Sequence, residues 1–307
     1  MFLRKFSTAS NISSDSSISE SATIRVVGDR ASGKTTYMAA LARWPNANSN
    51  SPVEAVSSVN DDGQTLISKA QVLLEQGLAL EPTSLSQSAT TDLPDYAIRI
   101  TLKGSFSWRN PKVQAGSQPV NLNINCKDYS GEFFRDLVSR AGDPQIKDYM
   151  EDCVNANGIL LLIDGNAHRR DQDYSNSIDK FLVALDHRGG SAPVKRRIAL
   201  VLTKCEQPEL WVNRHKPREM VQMRFPQIYR RLSAWQGLGA GKVDYFAASA
   251  LGMLGTNFPA PNATRLSRDS GGVSAVLKDP KRWRPFGLVA PIYWLCTGER
   301  HKKLEED

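Results

Sequence analysis

The chain has 307 residues, 40% of them apolar and 23% charged, which is the composition of an ordinary globular protein and excludes a fibrous or wholly disordered one. A formal charge of +7 is common among nucleic-acid-binding proteins. The basic residues, however, are spread over Arg196-Arg197, Arg214 to Arg231 and Lys278 to Arg284 instead of forming one stripe interleaved with aromatics. This spread indicates a solvated basic surface and disfavours nucleic acid as a partner.

The cysteines and the apolar runs indicate the cellular compartment and whether the chain spans a membrane. The four cysteines are far apart and lack C-x-x-C spacing, as expected for reduced thiols: Cys126, Cys153, Cys205 and Cys296. This usage predicts a cytoplasmic protein, because disulfides are rare in that compartment. The longest apolar runs, Ile159 to Ile163 and Gly287 to Cys296, fall well short of the roughly 20 residues of a membrane span. We therefore expect no integral membrane segment.

We predict a single domain with insertions and with a polar segment at each end. Residues 1–22 are serine-rich and lack the apolar core of a secretory signal, which predicts a disordered leader. Residues 23–300 are predicted to form a single domain with an inserted helical segment at 45–92 and an irregular insertion at 252–285. A charged tail follows at 301–307.

The first element carries the clearest motif. The apolar run Thr23 to Val27 predicts a strand, and residues 36–42 predict a helix. Between them lies G-x-x-x-x-G-K-T, a loop whose backbone N–H groups can hold phosphate oxygens at the positive end of a helix dipole. The residues predicted to contact nucleotide are Gly28, Asp29, Arg30, Ala31, Ser32, Gly33, Lys34, Thr35 and Thr36. Within this loop Lys34 would reach the β- and γ-phosphates, and the Thr35 hydroxyl would bind Mg²⁺.

The second motif follows a predicted antiparallel pair of strands. Residues 62–76 have helical periodicity, and residues 96–102 and 120–126 alternate as half-buried strands do. The latter strand leads into Asp128-Tyr129-Ser130-Gly131-Glu132, a D-x-x-G pattern. Asp128 would hold Mg²⁺ through water, and the Gly131 N–H would bond the γ-phosphate. Asp164, at the end of the buried strand 158–164, is the alternative carboxylate; we prefer Asp128 because only it is followed by the x-x-G sensor.

The third motif points to the base. After helices predicted at 144–157 and 173–186, strand 198–202 ends in Thr203-Lys204-Cys205-Glu206. A carboxylate at the carboxyl edge of an α/β sheet can accept the N1–H and exocyclic amino hydrogens of guanine, which adenine does not offer. The stem of Lys204 would lie over the ring. A helix is predicted at 217–236, and the strand 243–248 is followed by Ser249 and Ala250, whose loop can offer a backbone N–H to the base.

In this order the motifs resemble those of P-loop GTPases of the Ras-like and translation-factor-related class. G-D-R-A-S-G-K-T, D-Y-S-G-E, T-K-C-E and S-A each follow a predicted strand and together span residues 22–250. The spacer Gly77 to Thr83, the D-x-x-G-E form and Pro291 to Leu295 look further like bacterial double-GTPase-type proteins, predicted members of conflict or signalling systems. The resemblance implies that Thr83 is the switch-I threonine at Mg²⁺, with Thr90 and Thr91 as alternatives and an ordinary loop threonine as the competing interpretation.

Three residues depart from the class. Glu206 stands where the class has aspartate, which puts guanine selectivity in question. Glu132 replaces the glutamine that orients the attacking water; its carboxylate can orient water but also adds negative charge. Arg30 replaces a glycine and would act as a built-in arginine finger, obstruct an incoming one, or point to solvent. The predicted catalytic residues are Glu132, Arg30 and Lys34.

These inferences predict a three-layer α/β fold of the P-loop NTPase (Ras-like) type, with a mainly parallel six-stranded sheet and insertions. The favoured function is Mg²⁺-dependent GTP binding with slow hydrolysis, in which the GTP or GDP state controls loops 77–95 and 128–143 for an unknown effector protein. One alternative is a non-hydrolysing nucleotide-dependent interaction module, favoured by Arg30 and Glu132. The other is a P-loop ATPase or small-molecule kinase, for which the basic segment 278–284 is the lid candidate.

Overall fold

The computed structural model describes residues 18–44, 51–76, 95–103, 120–128, 133–140, 142–187, 196–255, 259–267 and 273–305. Seven strands form the central sheet: β1 (Ile18–Gly28), β2 (Val53–Ser58), β3 (Asp95–Leu102), β4 (Val120–Asp128), β5 (Gly158–Asp164), β6 (Arg196–Thr203) and β7 (Gly241–Ala247). Their spatial order is β2-β3-β4-β1-β5-β6-β7. The β2–β3 and β3–β4 pairs are antiparallel, and the other neighbours are parallel. Since β1 and β5 lie in the middle, the side chains of residues 24–27 and of the apolar run 159–163 are buried on both faces.

The helices cover both faces of this sheet: α1 (Lys34–Arg43), α2 (Asp61–Gln76), α3 (Phe133–Ser139), α4 (Pro144–Val154), α5 (Asp171–His187), α6 (Pro208–Trp211), α7 (Pro217–Arg224), α8 (Pro226–Gly237), α9 (Val289–Thr297) and α10 (Lys302–Glu305). Four of them begin at a proline, whose missing N–H costs nothing in the first turn. Among the residues that the structure describes, no helix is both long and apolar enough to cross a membrane.

Two apolar clusters form the core, one on each side of the sheet. On one side Ile24 and Val26 of β1 pack with α1, α2 and α9. On the other side Val27 of β1 and the alternate residues of β5 pack with α4, α5 and α8. The alternation along β1 thus sends successive side chains into different helical layers. The predicted three-layer α/β fold with a mainly parallel sheet is confirmed.

Several boundaries differ from the prediction. The sheet has seven strands instead of six because β2, in the segment 45–92 expected to be only helical, pairs with β3. Only the first residue of this edge strand is buried, so its sequence does not show the regular alternation of apolar and polar residues that indicates a strand. Residues 18–22, assigned to the leader, belong to β1, where Ile18 pairs with Val120 of β4. Sheet pairing here overrides the weak strand propensity of Ser19, Glu20 and Ser21.

Two helices in the structure also differ from their predicted bounds. The helix expected over 217–236 is two helices, since the backbone of Phe225 leaves the helical region before Pro226. The helix expected over 144–157 ends at Val154, and residues 155–157 turn the chain into β5. Within the tail 301–307, α10 buries Leu304 against the domain.

The insertion 252–285 is ordered where the structure describes it, contrary to the prediction of irregular structure. It contains two short antiparallel pairs, β8 (Met253–Leu254) with β9 (Ala260–Pro261) and β10 (Ala263–Ser267) with β11 (Val273–Leu277). The buried Asn262 side chain donates to Asp279 O at 3.0 Å and accepts from Asp279 N at 2.7 Å. Trp283 is also buried, with the Arg43 guanidinium of α1 5.8 Å from its ring centre. The Asn262 bonds thus join two parts of the insertion, and Trp283 packs it beside α1.

Asp171 links α5 to α8. Phe225, the residue before α8, provides no side-chain cap, and the buried Asp171 carboxylate instead accepts from Gln227 N at 2.8 Å and Ile228 N at 3.2 Å. We expect Asp171→Ala to lower the free energy of unfolding by about 1–2 kcal/mol, the value of a helix cap with charge-assisted bonds. Thermal unfolding followed by circular dichroism measures this. Asp173→Ala, at an exposed position in the same first turn, is the control and should change stability by less than about 0.5 kcal/mol.

Candidate nucleotide-binding site

The candidate site lies at the carboxyl edge of the parallel strands. Gly28 is the last residue of β1 and Lys34 the first of α1, so the G-x-x-x-x-G-K-T loop connects them directly. Asp128 ends the neighbouring strand β4, in register with Val26. On the other side of β1, Asp164 of β5 is in register with Thr203 of β6. Motifs far apart in sequence are therefore brought to one edge, where α/β folds bind ligands.

The loop has the backbone of an anion-binding turn. Ala31 and Gly33 have φ values of 64° and 86°, and Ser32 N donates to Asp29 O at 3.1 Å. Left-handed residues next to right-handed ones turn successive N–H groups into one concavity. Gly28 is required by space, because a Cβ there would lie 2.4 Å from the Leu162 carbonyl oxygen. A loop of this shape could direct several N–H groups at one anion.

Lys34 lies across this concavity. Its side chain is buried, and its Nζ donates to Gly28 O at 2.9 Å and Asp29 O at 3.2 Å. The first turn of α1 contains no acidic residue, so the positive charge of Lys34 adds to the helix dipole. Thr35 and Thr36 follow in that turn, half-buried. An anion in the concavity would meet one ammonium, one helix end and several N–H groups.

Two residues without a sequence motif also contact the loop. The buried Asp29 carboxylate forms an ion pair with Arg170 and accepts from the Tyr174 hydroxyl at 3.3 Å. Arg170 ends a short 3-10 turn and Tyr174 lies in the first turns of α5. Neither was predicted as a site residue, since each is more than 140 positions from Asp29 and matches no known spacing.

The T-K-C-E segment is tied to the phosphate loop. The Thr203 hydroxyl donates to Ser32 O at 2.7 Å, and the αL conformation of Lys204, with a φ of 59°, turns the chain after β6. Lys204 Nζ pairs with Asp164 at 2.6 Å. Because Asp164 also accepts from Asn166 N at 2.9 Å, its carboxylate is engaged by protein groups. The preference for Asp128 over Asp164 as the Mg²⁺ carboxylate stays a prediction, because the Asp128 side chain lies outside what the structure describes.

Glu206 is buried beside the loop that follows β7. It is 4% exposed and accepts a 2.5 Å hydrogen bond from Ser249, whose Oγ in turn accepts from Gly252 N at 2.8 Å. Burial raises the pKa of Glu206, while the Ser249 hydrogen bond opposes the shift. Burial also raises the pKa of the adjacent Cys205 to about 12, so this free thiol stays protonated and is no nucleophile. Ala250 follows Ser249, and its carbonyl accepts from Trp283 Nε1 at 2.8 Å.

Some predicted residues cannot be placed. Thr83, its alternatives Thr90 and Thr91, Gly131 and Glu132 lie outside the described residues, and Asp128 is described only by its backbone. Arg30 is exposed at the rim of the loop. Within the described ranges, no group of three or more His, Cys, Asp or Glu side chains could hold a metal ion.

Comparisons with known proteins find similarity among solved structures only. No protein-family model matches it, and no curated protein does either. One similar solved structure is the signal recognition particle receptor SRb-GTP/SRX complex from Chaetomium thermophilum, at 12% identity over 75% of this chain and 94% of that chain, with a TM-score of 0.36. Another is the S. cerevisiae Ski7 GTPase-like domain bound to GTP, at 14% identity over 76% of this chain and 43% of that chain, with a TM-score of 0.39.

Proposed function

We propose that this chain is a Mg²⁺-dependent GTP-binding protein that hydrolyses GTP slowly and acts as a nucleotide-controlled switch. The observation that carries the proposal is the hydrogen bond from Thr203 to Ser32 O, which joins the phosphate loop to the segment that ends in Glu206. A phosphate site and a buried carboxylate acceptor are thereby fixed relative to one another, as the two ends of a nucleotide require.

The phosphate end uses the loop N–H groups, the dipole of α1 and Lys34. Thr35 would bind Mg²⁺ directly, and Asp128 would do so through water. When bound, Mg²⁺ neutralises charge on the β- and γ-phosphates. From the resemblance we assign Thr83 to the same ion and Gly131 to the γ-phosphate, so that loops 77–95 and 128–143 respond to the presence of that phosphate.

The base end uses Glu206 and the loop after β7. The Glu206 carboxylate would accept the N1–H and amino hydrogens of guanine, and Ser249 orients it. Since Ser249 N already donates to Phe286 O at 3.0 Å, we assign the N–H that meets the guanine oxygen to Ala250. The alkyl stem of Lys204 would lie over the guanine ring, while its Nζ would keep the ion pair with Asp164.

The direct test is the identity of the nucleotide that copurifies. The protein is purified without added nucleotide, denatured, and the released nucleotides are separated by anion-exchange chromatography. We expect GDP or GTP, and on addition of GTP and Mg²⁺ we expect slow release of phosphate. An adenine nucleotide, or no affinity for any nucleoside triphosphate in calorimetry, would contradict the proposal.

We expect Arg30→Gly to slow single-turnover GTP cleavage at least tenfold, about 1.4 kcal/mol of barrier, with little change in GTP affinity. The reason is that charge develops on the γ-phosphoryl oxygens in the transition state, and Arg30 at the loop rim would supply a cation there. Glu132→Ala should slow cleavage similarly, because its carboxylate is proposed to position the water. Quenched-flow measurement with excess protein gives the rate, and faster cleavage in Arg30→Gly would mean that the arginine obstructs.

Two alternatives differ in their support. The non-hydrolysing module is favoured by Arg30 and Glu132, and absence of cleavage in the wild type with candidate partners would select it. The kinase alternative needs a mobile lid. Its candidate 278–284 is tied to neighbouring segments by the bonds of Asn262 to the Asp279 backbone and by buried Trp283, whose Nε1 donates to Ala250 O at 2.8 Å. This anchoring argues against a kinase.

A further inference from the structure

The second residue of the phosphate loop is an acid in a place where anions are to bind. The Asp29 side chain is 8% exposed. A buried carboxylate is costly unless it is paired, and here its negative charge also opposes the charge of any phosphate in the concavity. The Asp29 carbonyl meanwhile accepts from Lys34 Nζ and Ser32 N. The backbone of Asp29 thus helps to shape the loop. Among the described side chains of the loop, its carboxylate is the one that disfavours anion binding.

Arg170 compensates this charge. Its guanidinium pairs with Asp29 Oδ2 and lies 4.9 Å from the ring centre of Tyr174, whose hydroxyl bonds the same oxygen. Burial and the neighbouring Asp29 carboxylate raise the pKa of Tyr174, which keeps this hydroxyl a donor. The next residue, Asp171, is bound to the start of α8. The turn that carries Arg170 is therefore held in place by α8, and Arg170 is presented to the loop.

We propose that Arg170 is a positioning residue that neutralises Asp29 and so allows the phosphate loop to accept a nucleoside triphosphate. The inference rests on the proposed function. Arg170 acts through Asp29 and does not touch the phosphates. Without it, an unpaired anion remains beside the site, and its repulsion grows with the charge of the ligand. A triphosphate is therefore penalised more than a diphosphate.

The experiment compares four forms of the full chain: wild type, Arg170→Met, Asp29→Asn and the double variant Arg170→Met/Asp29→Asn. Methionine keeps the length of the arginine stem and removes its charge. Affinities for GTP and GDP are measured by calorimetry at fixed Mg²⁺ and salt. Arg169→Met is the matched control, because it removes the same charge from the adjacent exposed position of the same turn. Thermal unfolding shows which variants fold.

We expect Arg170→Met to weaken GTP binding at least tenfold and GDP binding less. Asp29→Asn and the double variant should bind GTP within about threefold of the wild type, since neither leaves an unpaired anion. Arg169→Met should also stay within about threefold. If Arg170→Met does not fold, Arg170→Gln takes its place, since it also removes the charge and leaves a polar group beside Asp29, and the same losses and the same rescue by Asp29→Asn are expected.

Three results would overturn the inference: equal GTP affinity in Arg170→Met and wild type, failure of Asp29→Asn to rescue Arg170→Met, and a tenfold loss in Asp29→Asn alone. The failure of the proposed function is distinct from these, because it would appear as a wild type that binds no nucleoside triphosphate.

Discussion

Replacing Lys34 with alanine is expected to lower the affinity for GTP at least a hundredfold, about 2.7 kcal/mol, while the fold remains intact. Lys34 Nζ is held by two carbonyl oxygens at the mouth of the loop, 2.9 and 3.2 Å away. A phosphate entering the concavity would meet this ammonium as a preorganised, charge-assisted donor. Loss of such a donor in a buried site is worth more than loss of a neutral one. Isothermal titration with GTP at fixed Mg²⁺ measures the change.

The control separates a local charge effect from a global one. Lys69→Ala removes the same charge from an exposed position of α2 and should leave GTP affinity unchanged. Thermal unfolding of Lys34→Ala shows whether the variant is folded under the conditions of the titration. Unchanged GTP affinity in a folded Lys34→Ala protein would remove the phosphate-loop assignment altogether.

The order of the motifs along the chain made the candidate site predictable. Each motif follows an apolar strand, and parallel strands must present their ends at one edge of a sheet. The contact of Thr203 with Ser32 and that of Glu206 with Ser249 agree with this expectation. Both join residues that a motif had already singled out, and geometry decided only how they meet.

The pairing of Asp29 with Arg170 could not be predicted in the same way. The two residues are 141 positions apart, and an arginine before a helix is an ordinary surface residue. What makes the pair informative is burial of the aspartate, which is a property of packing and not of spacing. The need for a partner follows only from the burial of Asp29, since a buried carboxylate is costly unless a cation or hydrogen-bond donor pairs with it.

Edge strands and insertions were also difficult to predict from the sequence. β2 has too few apolar positions to show a period of two, and its pairing with β3 exists only in the folded sheet. Trp283 of the insertion and Arg43 of α1 are far apart in the sequence, so no local pattern predicts that they meet in the folded protein. The loops proposed to sense the γ-phosphate, including Thr83 and Glu132, stay predictions.

Replacing Glu206 with alanine is expected to lower the preference for GTP over ATP by about 1–3 kcal/mol, roughly a fivefold to 150-fold change in relative affinity. The carboxylate is buried beside Ser249, so few water molecules could substitute for it. Guanine would then leave two donors without a partner, whereas adenine would lose no favourable contact. ATP affinity should therefore stay constant or rise, and competition titrations with GTP and ATP on one preparation give the ratio.

Glu209→Ala and Glu206→Asp complete this test. Glu209 is an exposed glutamate three residues further on, in α6, and its removal should leave the GTP to ATP ratio unchanged. Glu206→Asp introduces the residue of the GTPase class and should retain guanine preference if the shorter side chain still reaches the base. Equal affinity of the wild type for GTP and ATP would instead make the ATPase alternative the leading one.

The pH dependence of base selection gives an independent result. Burial raises the pKa of Glu206, and only the ionised carboxylate can accept both guanine hydrogens. Above that pKa the acceptor is complete, and below it the neutral acid carries a proton that faces the guanine donors. GTP affinity should therefore fall as the pH is lowered through the raised pKa, whereas ATP affinity changes much less over the same interval. In Glu206→Ala the two nucleotides should show the same pH profile, because the titrating group that distinguishes them is gone; a persistent difference would assign guanine selection to another residue.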